Sequence, residues 1–288
     1  MTVNHARILV TGAGGWIGRA VVARLRDNGM NVRCAHRTTA EVDLANEAAA
    51  SDVVIHAGSG YSNARRDVVE GGLAHVIAVA RGCARTENAV VFLSSAKVYG
   101  WAPDSSEHGR DCNEDSMCRG ADHFAVGKLV AEEVLSSAAQ RCIVLRISNV
   151  YGRDTPAKYA FGTMLLSAMT RGRIKLDCTG ESRRDLVHFD DVVTIIEAAT
   201  SAALRDETPG RRTYNVASGR LTSLIEVANT VAEATDAVVE TVGNVPISSP
   251  SLMNCRVRQA GFIDRFIDPT DGVRELMMGW KERPWQPI

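Results

Sequence analysis

Two rhythms of apolar residues alternate along the first two hundred positions of the chain. Short runs rich in β-branched residues, Arg7–Val10, Val32–Ala35, Val53–His56, Val90–Ser94 and Ile143–Arg146, have the length and composition of strands. Between them lie longer segments with helical spacing: Ile17–Asn28, closed by Gly29 as a C-terminal cap, Asp67–Cys83 and Phe124–Ala139. Strand, helix, strand in repetition predicts βαβ units, hence an α/β fold with a doubly wound parallel sheet. From about Gly152 the rhythm loosens into more turn residues, while Thr213–Val216 reads as one further strand returning to the sheet. No internal repeat or heptad pattern interrupts this reading.

Composition narrows the classes of partner. With 45% hydrophobic and 23% charged residues over 288 positions, the chain can bury a full core and a smaller second lobe. A net charge of −1 supplies no field to draw the molecule to nucleic acid or to an anionic membrane. The N-terminal stretch is short and polar, with no signal-like apolar run, so a cytoplasmic location is expected. Seven scattered cysteines, without a C-x-x-C pair or a histidine at zinc spacing, read as reduced thiols and give no metal site.

The first predicted strand runs into Thr11-Gly12-Ala13-Gly14-Gly15-Trp16-Ile17-Gly18 and then directly into a helix. A pyrophosphate must approach the backbone closely at a helix N-terminus, where free N–H groups and the helix dipole favour negative charge. Side chains at 12, 15 and 18 would block it. Strand, glycine triplet and helix in this order therefore predict a dinucleotide site of the Rossmann type. Residues 1–152 are expected to form that domain, with the sheet completed by about 184–217, and 153–288 a smaller substrate-binding lobe, mainly 153–183 and 218–288.

Further motifs follow in order: Asp43-Leu44, Asp52-Val53-Val54-Ile55-His56-Ala57-Gly58, Phe92-Leu93-Ser94-Ser95-Ala96-Lys97-Val98-Tyr99-Gly100, Arg146-Ile147-Ser148-Asn149-Val150-Tyr151-Gly152, and Arg184-Asp185-Leu186-Val187-His188-Phe189-Asp190-Asp191. With the glycine loop they span residues 8 to 217 and resemble the extended short-chain dehydrogenase/reductase family, the NAD-dependent epimerases and dehydratases. The resemblance implies an NAD(P)-dependent epimerase, dehydratase or reductase acting on a nucleotide sugar or related sugar. It implies dinucleotide contacts at Gly12, Gly15, Trp16, Ile17, Gly18, Ala57, Gly58, Ser94, Lys128 and Ile147, with Asp43 and Leu44 beside the adenine. For the substrate it implies Ser95 on the reacting oxygen, with Tyr99, Asn149 and Arg184 as further contacts, the last two toward a diphosphate. An arginine fork suits phosphate oxygens, though a structural ion pair with Asp185 or Asp190 would use the same group.

In the family a Tyr-x-x-x-Lys pair shares one helix face, so that the ammonium lowers the phenol's pKa and holds the nicotinamide ribose. Lys128 stands at the lysine position, but the tyrosine position is Phe124. A phenyl ring has no proton to exchange, and moving hydride to or from an alcohol carbon requires one. Three readings stay open: a Tyr→Phe replacement in an otherwise active enzyme, another proton carrier with His123, Tyr99 and Tyr151 as candidates, or a catalytically silent dinucleotide-binding sensor or scaffold. The helix geometry turns His123 away from the face of Phe124 and Lys128.

Cofactor choice and assembly add two expectations. His36 followed by Arg37 stands where NAD enzymes of this type carry an acid for the ribose hydroxyls, so NADP is preferred over NAD, with Arg37 and Arg33 as partners of a 2′-phosphate. The segments Asp67–Cys83 and Phe124–Ala139 carry apolar residues on more than one face, among them Ile77, Val126 and Val130. A homodimer pairing these helices is the expectation.

Overall fold

The computed structural model describes residues 6–58, 72–100, 111–177, 179, 181–206, 208–243, 248–280 and 282. Its centre is a six-stranded parallel sheet of β1 (Arg7–Thr11), β2 (Asn31–Ala35), β3 (Val53–His56), β4 (Ala89–Ser95), β5 (Arg141–Ile147) and β8 (Gly210–Val216), in the order β8-β5-β4-β3-β1-β2. Successive side chains of a strand point to opposite faces. Ile8 and Val10 therefore enter one core and Leu9 the other. Helices α1 (Trp16–Asp27) and α6 (Phe189–Arg205) cover the first face. Helices α2 (Glu41–Ala49), α3 (Ala74–Cys83) and α4 (His123–Ala138) cover the second. Strand order reverses between β1 and β3, which opens a crevice at their C-terminal ends, where ligands bind in sheets of this kind.

The predicted strands and helices appear within a residue or two, except that Thr213–Val216 extends back to Gly210. Helix α1 stops at Asn28 because Gly29 takes φ +74°, a left-handed conformation open to glycine. Of the segment Asp67–Cys83, α3 covers Ala74–Cys83, and residues 67–71 lie outside the described residues. Helix α2 goes unpredicted because only Leu44 and Ala48 mark its buried face, too few to set a period.

After β5 the chain builds the second lobe. Strand β7 (Arg183–His188) lies between β6 (Asn149–Tyr151), parallel to it, and β9 (Leu221–Ser223), antiparallel. Helices α5 (Ala160–Arg171) and α7 (Leu224–Thr235) and the helix Pro269–Met278 close over Tyr151, Phe161, Met164 and Val227 as a separate core. The chain returns to the main sheet at β8 between these lobe segments, which ties lobe and sheet together. Among the described residues, no helix is long and apolar enough to cross a membrane, and the described cysteines are all free thiols.

Candidate active site

At one end of the crevice the site is made of backbone. Gly12 sits at φ +68°, and a Cβ there would fall 2.7 Å from the Cα of Gly58. A Cβ at Gly18 would collide with the carbonyl oxygen of Gly12. Two turns can approach this closely only where no side chain intervenes. Gly15 caps α1 without any side-chain hydrogen bond, so the first N–H groups of the helix open onto the crevice. Trp16 stacks on Phe189 at 4.5 Å between ring centres and adjoins Tyr159 at 5.5 Å. Beneath the loop, Thr11 Oγ1 and His56 Nδ1 share a buried 2.8 Å hydrogen bond. Burial, followed by the charges of Lys128 and His75, lowers the His56 pKa to about 3, so the ring is neutral. This side-chain-free cradle at an uncapped helix start fits a dinucleotide pyrophosphate.

Around the far side of the loop the expectations divide. The end of β2 abuts it: Ala13 N donates to Ala35 O at 3.4 Å, and the His36 ring lies against Gly14. Arg37 follows and is exposed. Arg33 is paired with Glu47 at 2.7 Å. Leu44 is fully buried in the core shared with α3, and Asp43 faces outward from α2; neither lines the cavity. The expected place of Leu44 beside the adenine is corrected accordingly, because the helix turns its apolar side inward; Asp43 stands on the exposed side of that helix.

At the other end the site is made of side chains. Ser95 ends β4 and caps a short 3-10 turn, Ala96–Tyr99, its Oγ accepting from Lys97 N at 3.2 Å. Asp122 caps α4 by accepting from Ala125 N at 2.7 Å, and the first turns of that helix carry Phe124 and Lys128 to the cavity wall. Lys128 is almost entirely buried. Its Nζ donates to Leu93 O at 2.5 Å and lies 4.8 Å from the Phe92 ring centre and 5.7 Å from that of Phe124. Burial outweighs the pull of Glu132 and brings its pKa down to about 7. Lys97 Nζ holds Asp122 Oδ2 at 3.1 Å and also lies 5.7 Å from the centre of the Phe124 ring. The ring at the tyrosine position thus has two lysine side chains beside it.

A buried polar network backs this end. Ser94 Oγ donates to Glu132 Oε1 at 2.5 Å, and Glu132 is paired with Arg146 at 2.9 Å and with Arg211. Arg146 Nη1 donates to the Tyr99 hydroxyl at 3.1 Å, which in turn donates to Asn215 Oδ1 at 2.6 Å. Tyr99 is therefore fully buried, its pKa pushed up to about 12 chiefly by burial, and it does not line the cavity. The expected substrate contact at Tyr99 is corrected: the 3-10 turn after Ser95 swings Val98 and Tyr99 into the core. Tyr151 is buried in the lobe core, and His123 is exposed off the cavity, so neither supplies the missing proton carrier.

The cavity between these ends is about 650 Å³. It joins Gly12, Gly15, Trp16, Ile17, Gly18 and Ala57 to Ser94, Ser95, Phe124, Lys128 and Ile147, while Gly58 lies behind Gly12 and does not line it. From the lobe come Asn149, whose Nδ2 donates to Asp185 O at 3.0 Å, and Arg184. Lys158, Tyr159, Ser249 and Pro250, on irregular segments without a periodic signal, and Phe161, in the first turn of α5, also line it and were not anticipated. Arg19, Lys97, Lys128, Lys158 and Arg184 face the cavity, with no carboxylate among its described lining residues. Asp185 stays behind the wall, accepting from Ser218 N and Ser218 Oγ at 3.0 and 2.9 Å, with burial raising its pKa to about 7. Of the loop 101–123, the stretch 101–110 lies outside the described residues; Asp111–Cys112 pairs with Ser251–Leu252 beside the lobe.

Residues 8–217 match the NAD dependent epimerase/dehydratase family. Among solved structures, MoeE5 in complex with UDP-glucuronic acid and NAD is 22% identical with a TM-score of 0.81, over 96% of this chain and 99% of that one. TunA, an NAD-dependent NDP-hexosamine 5,6-dehydratase involved in tunicamycin biosynthesis, is 22% identical with a TM-score of 0.77, over 96% and 98%. A Tyr-to-Phe variant of UDP-glucuronic acid 4-epimerase from Bacillus cereus, in complex with UDP-4-deoxy-4-fluoro-glucuronic acid and NAD, is 17% identical with a TM-score of 0.80, over 96% and 99%. The chain belongs to the NAD dependent epimerase/dehydratase family.

Proposed function

We propose that this family member binds a dinucleotide along the glycine loop and a nucleotide sugar against the lobe, and catalyses reversible oxidation at a sugar carbon, the step that epimerisation and dehydration share. The observation that carries this reading is one cavity with a side-chain-free cradle at one end and Ser95, Lys97, Phe124 and Lys128 at the other. Cationic lining without a described carboxylate suits two ligands that each carry a diphosphate. Bound, the nicotinamide would accept hydride from the sugar carbon and return it. Gly12, Gly15 and Gly18 leave room for the pyrophosphate, and Lys128 holds the adjoining ribose. Ser95 orients the reacting oxygen, while Asn149 and Arg184 hold the sugar's diphosphate. Residues 153–183 and 218–288 act as the substrate lobe.

Two finer features belong to the same reading. A preference for NADP is supported by the absence of an acid at His36 and by exposed Arg37 beside the loop. A homodimer is supported by Ile77 on α3 and Val126 and Val130 on α4, apolar side chains 41–47% exposed on neighbouring helices.

The test is to load the purified chain with oxidised dinucleotide and add a panel of nucleotide sugars. Reduced nicotinamide absorbance, or appearance of an epimer or unsaturated product, is the expected result. Phe124 favours one rival, a silent binding protein. Tight binding of both ligands with neither reduction nor product establishes that rival instead.

A further inference from the structure

Resting on that functional reading, we propose that Lys97 is the acid–base residue of the reaction, delivering and taking up the proton that the Phe124 ring cannot carry. The proton must be exchanged at the reacting oxygen, at the end of the cavity where Ser95 stands. Around Ser95 and Phe124 the lining side chains with exchangeable protons are Ser94, Ser95, Lys97 and Lys128; Ser94 gives its proton to Glu132, and the Tyr159 ring lies against Trp16 at the glycine-loop end. A serine hydroxyl needs a partner to relay its proton. Lys128 is nearly closed off from solvent, with no open route to recover a proton between half-reactions, and in the functional reading it holds the ribose.

Lys97 meets the requirements that remain. It springs from the same 3-10 turn as Ser95, whose Oγ accepts its backbone N–H, so the two side chains keep a fixed relation. Asp122 holds its ammonium with one carboxylate oxygen while the other caps α4, the helix of Phe124 and Lys128. That shared carboxylate, a positioning residue, fixes the ammonium relative to the ring. An ammonium has three donors, so one can remain on Asp122 while another meets the oxygen. The Lys97 side chain keeps 24% of its surface exposed, which allows it to recover a proton from water between half-reactions.

In the reducing direction a hydride from the reduced dinucleotide forms a C–H bond at the carbonyl carbon, and one ammonium N–H bond breaks to form the O–H bond. The sugar is reduced, the dinucleotide oxidised, and Lys97 is left as an amine beside Asp122. The oxidising direction reverses each transfer, the amine taking the hydroxyl proton.

The experiment compares the dinucleotide-loaded wild type with Lys97→Met, Phe124→Tyr and the double variant, using a nucleotide sugar that the wild type oxidises. Hydride transfer is followed by stopped-flow absorbance, and sugar-nucleotide affinity by calorimetry. Lys97→Met is expected to slow hydride transfer by about 10²–10⁴-fold, the range of a positioned acid–base group, with affinity changed only a few-fold. Phe124→Tyr alone should change the rate by less than about tenfold, yet restore most of it in the Lys97→Met background, a rescue that no structural role of Lys97 would produce. Lys97→Gln repeats the test with a polar chain should Met unsettle the turn. Undiminished transfer in Lys97→Met, a loss of affinity at unchanged saturated rate, or a hundredfold gain from Phe124→Tyr alone overturns the proposal and leaves the functional reading intact. Absence of hydride transfer in the wild type overturns both.

Discussion

The two ends of the cavity are built from different materials. At the dinucleotide end, Gly12, Gly15 and Gly18 shape the site by lacking side chains, and the open N–H groups of α1 supply the polarity. At the reacting end, Ser95, Lys97 and Lys128 shape it with charge, and Lys128 is carried almost wholly into the interior. A backbone cradle adds no buried charge to the fold. A buried ammonium with a lowered pKa does, and its burden on stability depends on pH. The first end can be altered only by inserting atoms, whereas the second tolerates changes of identity. Phe124, where the family resemblance implies a tyrosine, keeps an aromatic ring at the cavity wall without an exchangeable proton.

The largest effect that separates the two ends is expected at Lys128. In the unfolded chain its pKa is 10.5, and in the folded protein about 7. Between those values the unfolded state binds a proton that the folded state lacks. Stability therefore rises with pH from about 7 to 10.5, and below about 7 the burden is present in full and no longer changes with pH. At about 1.4 kcal/mol for each pH unit between the two values, the ceiling on the burden below pH 7 is about 5 kcal/mol. Lys128→Met should therefore raise the melting temperature of the dinucleotide-free chain at pH 6, the gain shrinking toward zero by pH 10. Melting curves over that range check it. A loss of stability at pH 6 would mean that the ammonium is fully compensated and that the contrast between the two ends does not hold.

That contrast also explains what was legible in the sequence. Glycine spacing after a strand reads directly as a cradle, since φ +68° at Gly12 and the approach of Gly18 to Gly12 are demands on residue type. Phe124 and Lys128 were recoverable because four positions on a helix share a face. Tyr99 was misplaced because a Val-Tyr-Gly run does not say which way a 3-10 turn rolls; its hydroxyl is used by Asn215 and Arg146, which lie 116 and 47 residues away. Leu44 misled similarly, a single buried leucine in a helix too sparse to show a period. Lys158, Tyr159 and Ser249 gave no signal, since they lie outside the periodic elements, on segments before and after the return of the chain to the sheet at β8.

The next prediction tests the backbone end. Gly18→Ala puts a methyl group against Gly12 O, where the neighbour is backbone and cannot step aside as a flexible side chain would. Overpacking of this kind costs about 1–3 kcal/mol, or roughly 5–150-fold in dinucleotide affinity if the strain opens the cradle. Calorimetry with the dinucleotide should show that loss, while nucleotide-sugar binding at the lobe stays within a few-fold. Equal losses for both ligands would mean that the two ends are mechanically coupled and cannot be treated as separate sites.

The smallest effect is expected at Arg37, where the backbone end acquires its one side-chain decision. The cradle itself does not distinguish the two dinucleotides, because they share the pyrophosphate that the glycines accommodate. Discrimination has to come from the adenosine ribose, and the segment that reaches the loop is the end of β2, where Ala35 accepts from Ala13 and the His36 ring packs on Gly14. An acid there would accept from ribose hydroxyls and repel a 2′-phosphate; His36 carries no negative charge to repel it, and exposed Arg37 can supply the opposite charge. Arg33 is held by Glu47, which leaves Arg37 as the cation to test. A single solvent-screened charge-assisted contact is at the low end of its range, about 1.5 kcal/mol or roughly tenfold. Arg37→Ala should therefore weaken NADP binding about tenfold, leave NAD binding unchanged, and flatten the NADP effect at high salt. If both dinucleotides weaken together, Arg37 serves the loop's conformation and not the 2′-position. If neither changes, selectivity lies outside β2 and NAD is as good a ligand as NADP.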